Sequence, residues 1–135
     1  MMTFIPPKIT MLYAGILGLM YLFLSISVVR WRWIELKGLG CDQDPKSGLF
    51  RAVRIHGNFF EYVPLILLFL AMDEMTGRLP LPVHLMGIVL VLGRLGHFLG
   101  IRKSHTTSAG RTISVAFTFG LLLVLSILLI MKGAS

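Results

Sequence analysis

The sequence predicts an all-α integral membrane protein, a single four-helix bundle. Two observations carry this. Of 135 residues, 56% are hydrophobic and only 14% charged, with a mean hydropathy of +0.83. A soluble domain of this size carries about 25% charged residues. The sparse charges also divide the chain into four apolar stretches, expected to span at about 9–29, 50–72, 80–101 and 112–131.

The first stretch, between Lys8 and Arg30, contains 21 uncharged residues; the last, between Arg111 and Lys132, contains 20. Each meets the roughly 20 residues needed to cross about 30 Å of hydrocarbon. The first is too long for a signal-peptide core and lacks a convincing cleavage site, so it is read as a helix that stays. The middle two are shorter. Only 11 uncharged residues separate Glu61 from Asp73, and 15 separate Arg78 from Arg94. At 1.5 Å per residue these cover about 16 and 22 Å. Each helix must therefore extend through its own polar residues, the second back past Asn58 and Arg54, the third forward past Arg94 and His97. Pro80 and Pro82 suit the opening of the third helix, where a missing amide hydrogen is tolerated. Pro64 is expected to kink the second.

Orientation follows from the thirteen Lys and Arg residues. Lys8, Arg78 and Lys132 fall on one side; the other ten lie on or near the first and third connections. The positive-inside rule puts those connections in the cytoplasm and both termini outside. The net charge of +7 serves this bias and the attraction of anionic headgroups. Basic residues scattered among apolar spans do not suggest a nucleic-acid surface. The one cysteine, Cys41, excludes an intrachain disulfide and reads as an inert loop thiol. No spacing of His, Cys or carboxylates suggests a metal site, and no glycine-rich phosphate loop is present.

The extensions of the middle helices point to the same half of the membrane. Arg51, Arg54, Asn58 and Glu61 are spaced by three, four and three, forming one helical stripe. Arg94 and His97 lie one turn apart near the same end. Ionisable groups at this depth are costly and face a bundle interior or a wet cavity. They are expected to converge on a pocket between helices, with Glu61 and Arg94 sharing it. Structural roles are the alternative: Arg54–Glu61 or Glu61–Arg94 as locking ion pairs, Asn58 as an interhelical hydrogen bond, His97 as a packing residue. His84 and His105, near span ends, are expected in solvent. Gly96 and Gly100 form a GxxxG, a modest signal for close helix packing.

Several arginines, an asparagine and one carboxylate suit a small molecule with two carboxylates and an ammonium group. Glutathione has that pattern, though composition leaves other anionic metabolites open.

At these residues the sequence resembles the membrane-associated proteins in eicosanoid and glutathione metabolism, and is most similar to their small bacterial branch. The resemblance rests on Arg54-x-x-x-Asn58-x-x-Glu61-Tyr62-x-Pro64 in the second helix, Arg94-x-x-His97 in the third, and Arg111 opening the fourth. It implies a homotrimer in a bacterial inner membrane, with glutathione as co-substrate bound between subunits. Arg54, Asn58, Glu61 and Tyr62 would hold it. Arg94 and His97 would complete the shell, with Arg51 on the same stripe, and Arg30 or Arg32 would reach in from a neighbour. Arg111 would be the catalytic residue beside the sulfur. The thiolate would attack a hydrophobic electrophile entering from the bilayer, as in a transferase or peroxidase. Two positions depart from the family pattern: Ile101 stands where several members have tyrosine, and Gly57 where one has arginine. A non-catalytic scaffold is the second reading. A small four-helix exporter of cations is the third; its embedded carboxylate would have to be Glu61, among arginines that repel cations.

Overall fold

A computed structural model describes residues 5–41, 43–103 and 109–134. Its four helices are α1 (Lys8–Ile34), α2 (Gly48–Met75), α3 (Pro80–Lys103) and α4 (Ala109–Gly133). All four are long and apolar enough to cross a membrane. The expected spans are shorter than the helices, chiefly because α1 continues to Ile34 and α2 begins at Gly48. The centre of the third connection, with His105, lies outside the described residues.

α2, like α3, packs against each of the others, whereas α1 and α4 do not meet among the described residues. Its buried positions explain this. Ile55, Phe59, Val63, Ile66 and Leu70 recur every three or four residues, the spacing of a helix–helix seam. Leu17 and Leu24 from α1, Val83 and Leu90 from α3, and Leu121 and Leu125 from α4 close on that seam. Large apolar side chains such as Leu19, Leu92 and Ile130 are exposed, as a lipid-facing surface requires. α2 is continuous through Pro64, which sits on an exposed face.

The antiparallel pair α1–α2 is held by reciprocal caps. At one end Glu35, just past α1, accepts hydrogen bonds from the Leu49 amide at 3.0 Å and from the Ser47 hydroxyl at 3.0 Å. Ser47 in turn accepts from the Phe50 amide at 3.1 Å. At the other end Glu74, near the end of α2, accepts from the amides of Ile9 and Thr10 at 2.9 and 2.8 Å, and from the Thr10 hydroxyl at 2.8 Å. Each carboxylate satisfies amides that the first turn of a helix leaves open, and meets the positive end of its dipole. Beside Glu74, the fully buried Asp73 pairs with Arg78 and, at 3.7 Å, with Lys132, tying α4 to the α2–α3 connection.

His84 is not in solvent. Its Nδ1 lies 3.1 Å from the Tyr13 hydroxyl, and it is half-buried between α1 and α3. The Tyr13 ring lies over Gly87, where a Cβ atom would come within 2.3 Å of Cδ2. Gly87→Ala is therefore expected to lower stability by about 1–3 kcal/mol, the cost of overpacking a filled contact. Thermal unfolding in detergent checks this; an unchanged midpoint would mean that Tyr13 swings aside freely.

Candidate functional site

The stripe on α2 covers an arc rather than a line. At about 100° per residue, Arg51 and Asn58 stand near one edge, and Arg54 and Glu61 about 60° away. The first edge turns towards α3 and α4. The second turns out of the chain: Arg51 and Asn58 are half-buried, Arg54 and Glu61 exposed.

Arg94 rises from α3 into the seam between α2 and α4 and is only 3% exposed. Its Nη1 donates to Asn58 Oδ1 at 2.9 Å and, at 3.5 Å, to the Asn58 carbonyl. Its Nη2 donates to the Thr118 hydroxyl. Thr118 passes the chain on, donating to the Ser114 carbonyl at 2.8 Å. Close approach of α3 and α4 makes this possible: a Cβ on Gly96 would lie 2.7 Å from the Ser114 hydroxyl. Because Asn58 Oδ1 accepts from the guanidinium, its amide NH2 is left to face away from Arg94.

Arg94 and Glu61 therefore turn in different directions, contrary to the expectation from their spacing. Arg94 is drawn inward by Asn58 and Thr118, whereas Glu61 lies on the outer edge of the arc. Neither ion pair proposed for Glu61 forms among the described residues. Tyr62, one position on, is half-buried against Phe119 of α4, with ring centroids 5.7 Å apart.

The stripe's remaining groups do meet. A cavity of about 150 Å³ is lined by Arg51, Arg54 and Asn58 of α2, His97 and Ile101 of α3, and Arg111 of α4, under Pro45 and Phe50. Three guanidiniums face it and, among the described residues, no carboxylate does. His97 is 4% exposed, and neither ring nitrogen has a hydrogen-bond partner among the described residues. Buried polar atoms left in this way are rare, and at a cavity wall they mark a place for a ligand or water. Arg30 is not here. It lines a larger, separate groove of about 650 Å³ between α1 and the start of α2, which shares only Arg51 with the small cavity. Arg32 is held by the first connection, donating to the carbonyls of Gly38 and Gly40 at 3.2 and 3.0 Å.

Sequence reasoning missed Ser114 and Thr118. Their four-residue spacing on α4, one turn beyond Arg111, was the available signal, but in a membrane helix such residues also bond their own backbone.

The sequence of these four apolar helices is matched over residues 10–131 by the family model described as MAPEG family. The chain belongs to the MAPEG family. It is 38% identical over 92 residues to the inner membrane protein YecN of Escherichia coli K12, covering 68% of this chain and 69% of that one. The YecN protein of E. coli O6:H1 strain CFT073 matches to the same extent. No solved structure is significantly similar to this MAPEG chain. Membership agrees with the four spans and with an integral membrane protein.

Proposed function

We propose that the protein binds glutathione in an inner membrane and activates its thiol for attack on hydrophobic electrophiles. The observation that carries this is the convergence of Arg51, Arg54, Arg111, Asn58 and His97 on one concave site where, among the described residues, His97 has no hydrogen-bond partner and no lining residue is acidic. Guanidinium forks at α2 suit the two carboxylates of the tripeptide. The Asn58 amide, turned by Arg94, offers donors, and His97 adds a further polar contact. Family membership narrows the anion from metabolites in general to glutathione, and the name of its YecN relative supports the inner membrane. In that membrane the basic first and third connections lie in the cytoplasm and the termini outside.

A cavity of about 150 Å³ is smaller than the roughly 300–1,000 Å³ of pockets that enclose drug-sized ligands. Glu61 is exposed near the midpoint of α2, and a carboxylate facing lipid at that depth is costly. Both features support a second copy closing the site, as in a homotrimer with its sites between subunits. Glu61, with Arg54 beside it, then borders the closed site and can take the ligand's ammonium group.

Arg111 performs the chemical role. A free thiol ionises near pH 8.5, and an adjacent guanidinium favours the thiolate, so more of it is present at neutral pH. The thiol proton leaves to water, and the sulfur lone pair forms the new bond to the electrophilic atom as the leaving group departs or the ring opens. Isothermal titration of the detergent-solubilised protein tests binding; no heat with millimolar glutathione would end this reading. Arg54→Ala should weaken binding by about 2 kcal/mol, the low end for a charged pair because Arg54 is exposed in the single chain.

Ile101 favours a second reading, a binder without turnover. It forms part of the cavity wall and offers no hydroxyl to the sulfur. Glutathione bound without thiolate absorbance near neutral pH would select this reading.

A further inference from the structure

The first connection carries an apolar surface that neither the packing of the helices nor the cavities use. Leu36 and Leu39 are 90% and 94% exposed, and Trp33, in the last turn of α1, is 78% exposed. None of the three lines the small cavity or the larger groove. Trp33 continues a stripe with Leu22 and Val29, spaced by seven and four residues and all more than half exposed. The patch is thus continuous with the lipid-facing surface of α1.

Leu36 is placed at a cost. Just past the C-cap Glu35 it adopts φ 53°, the left-handed conformation that a helix end usually gives to glycine. It is the one residue other than glycine with a positive φ among the described residues. The Lys37 amide donates to the Arg32 carbonyl at 3.0 Å and closes the turn. The apolar contact that often accompanies such a turn falls here to Arg32 and Lys37, so the turn makes no use of the leucine side chain. A leucine in this conformation strains the backbone, and an exposed one gains nothing from its own chain in return. The turn is nevertheless built. Arg32 donates to the carbonyls of Gly38 and Gly40 at 3.2 and 3.0 Å, holding the segment that bears both leucines against the end of α1.

We propose that this turn is an interfacial anchor: Leu36 and Leu39 insert at the boundary between headgroups and acyl chains in the leaflet where α1 ends, with Trp33 beside them. Length puts them at that depth. The 27 residues of α1 cover about 40 Å, and a bilayer with its headgroups is about 40–45 Å thick. With Lys8 among the headgroups of one leaflet, Leu36 lies among those of the other. Tryptophan is enriched at the same level. Burying a leucine side chain among acyl chains gains more than the left-handed backbone costs, so the membrane provides the contact that the chain does not. The anchor fixes the height of the end of α1. It calls on no contact with glutathione and fails separately from that reading.

Spin labelling of the full chain in phosphatidylcholine vesicles tests this. Cys41, the chain's one cysteine, is replaced by serine, and a nitroxide is attached in turn to Leu36→Cys, Leu39→Cys, Gln43→Cys and Leu22→Cys. Collisions with oxygen, which concentrates in lipid, are compared with collisions with a neutral nickel chelate, which stays in water. Gln43, exposed on the same connection, reports water, and Leu22, exposed midway along α1, reports acyl chains. The oxygen-to-nickel ratio at positions 36 and 39 is expected to be several-fold above that at 43 and below that at 22. Leu36→Gly, which suits the positive φ and keeps the turn, should lower the ratio at the Leu39→Cys label several-fold. Ratios at 36 and 39 equal to that at 43 would place the turn in water and overturn the proposal. Shielding of both labels from oxygen and nickel alike would mean that a second copy of the chain covers the patch, and would overturn it too. So would a ratio at 39 unmoved by Leu36→Gly, since Leu36 would then hold nothing in the membrane.

Discussion

Glu74→Ala is expected to destabilise the protein by about 2–4 kcal/mol. The buried carboxylate accepts three hydrogen bonds, two of them from amides in the first turn of α1 that have no helical partner. Bonds to a charged acceptor contribute about 1.5–3 kcal/mol each, and three on one group do not add fully. Water cannot replace them freely, because Glu74 and Thr10 are 7% and 4% exposed. Glu74→Gln should recover less than half of the loss, since its NH2 faces amide donors. Thr10→Val, which removes only the hydroxyl bond, should cost about 1 kcal/mol. Unfolding by denaturing detergent measures all three. Stability equal to the parent in Glu74→Ala would show that the cap contributes nothing. Glu74 lies at the far end of α2 from His97 and Arg111, so glutathione binding by the folded fraction should be unchanged.

These caps mark the boundary of what the sequence made legible. The spans could be placed because charges in a membrane protein are few and each one limits where a helix can sit. The polar stripe was visible for the same reason: α2 and α3 are too short without it. Spacing alone does not say which edge of an 80° arc faces inward, and that decided the fates of Asn58 and Glu61. The choice was made by α4, where Thr118 offers a hydroxyl to Arg94 and Ser114 fits over Gly96. Neither residue stands out in a helix of leucines. Glu35 and Glu74 likewise look like ordinary helix-end acids, because a cap contributed by the neighbouring helix has no local spacing. Arg30 lies four residues before Ile34, at the end of α1; only the path of α2 beside it shows which groove of its own chain it lines.

Arg94→Met is expected to weaken glutathione binding at least tenfold while leaving the fold as stable as before, or more stable by up to about 2 kcal/mol. The guanidinium is nearly inaccessible, meets no carboxylate among the described residues, and leaves its Nε without a partner. Its gains are hydrogen bonds to neutral groups, Asn58 and Thr118. These do not offset the several kcal/mol that desolvating a charge costs, and an apolar side chain of similar length removes the cost. An arginine held at such expense is better explained by an anion that arrives later. Its field acts on the cavity one turn away, and its hydrogen bond turns the Asn58 amide towards that cavity. The substitution releases Asn58 and removes one positive charge from the vicinity of the cavity where the proposed ligand's carboxylates would sit. A tenfold loss corresponds to about 1.4 kcal/mol. Titration calorimetry and thermal unfolding on the same preparation separate the two effects. Unchanged affinity would reduce Arg94 to a packing residue, and a large loss of stability would mean that its bonds to α2 and α4 hold the bundle together.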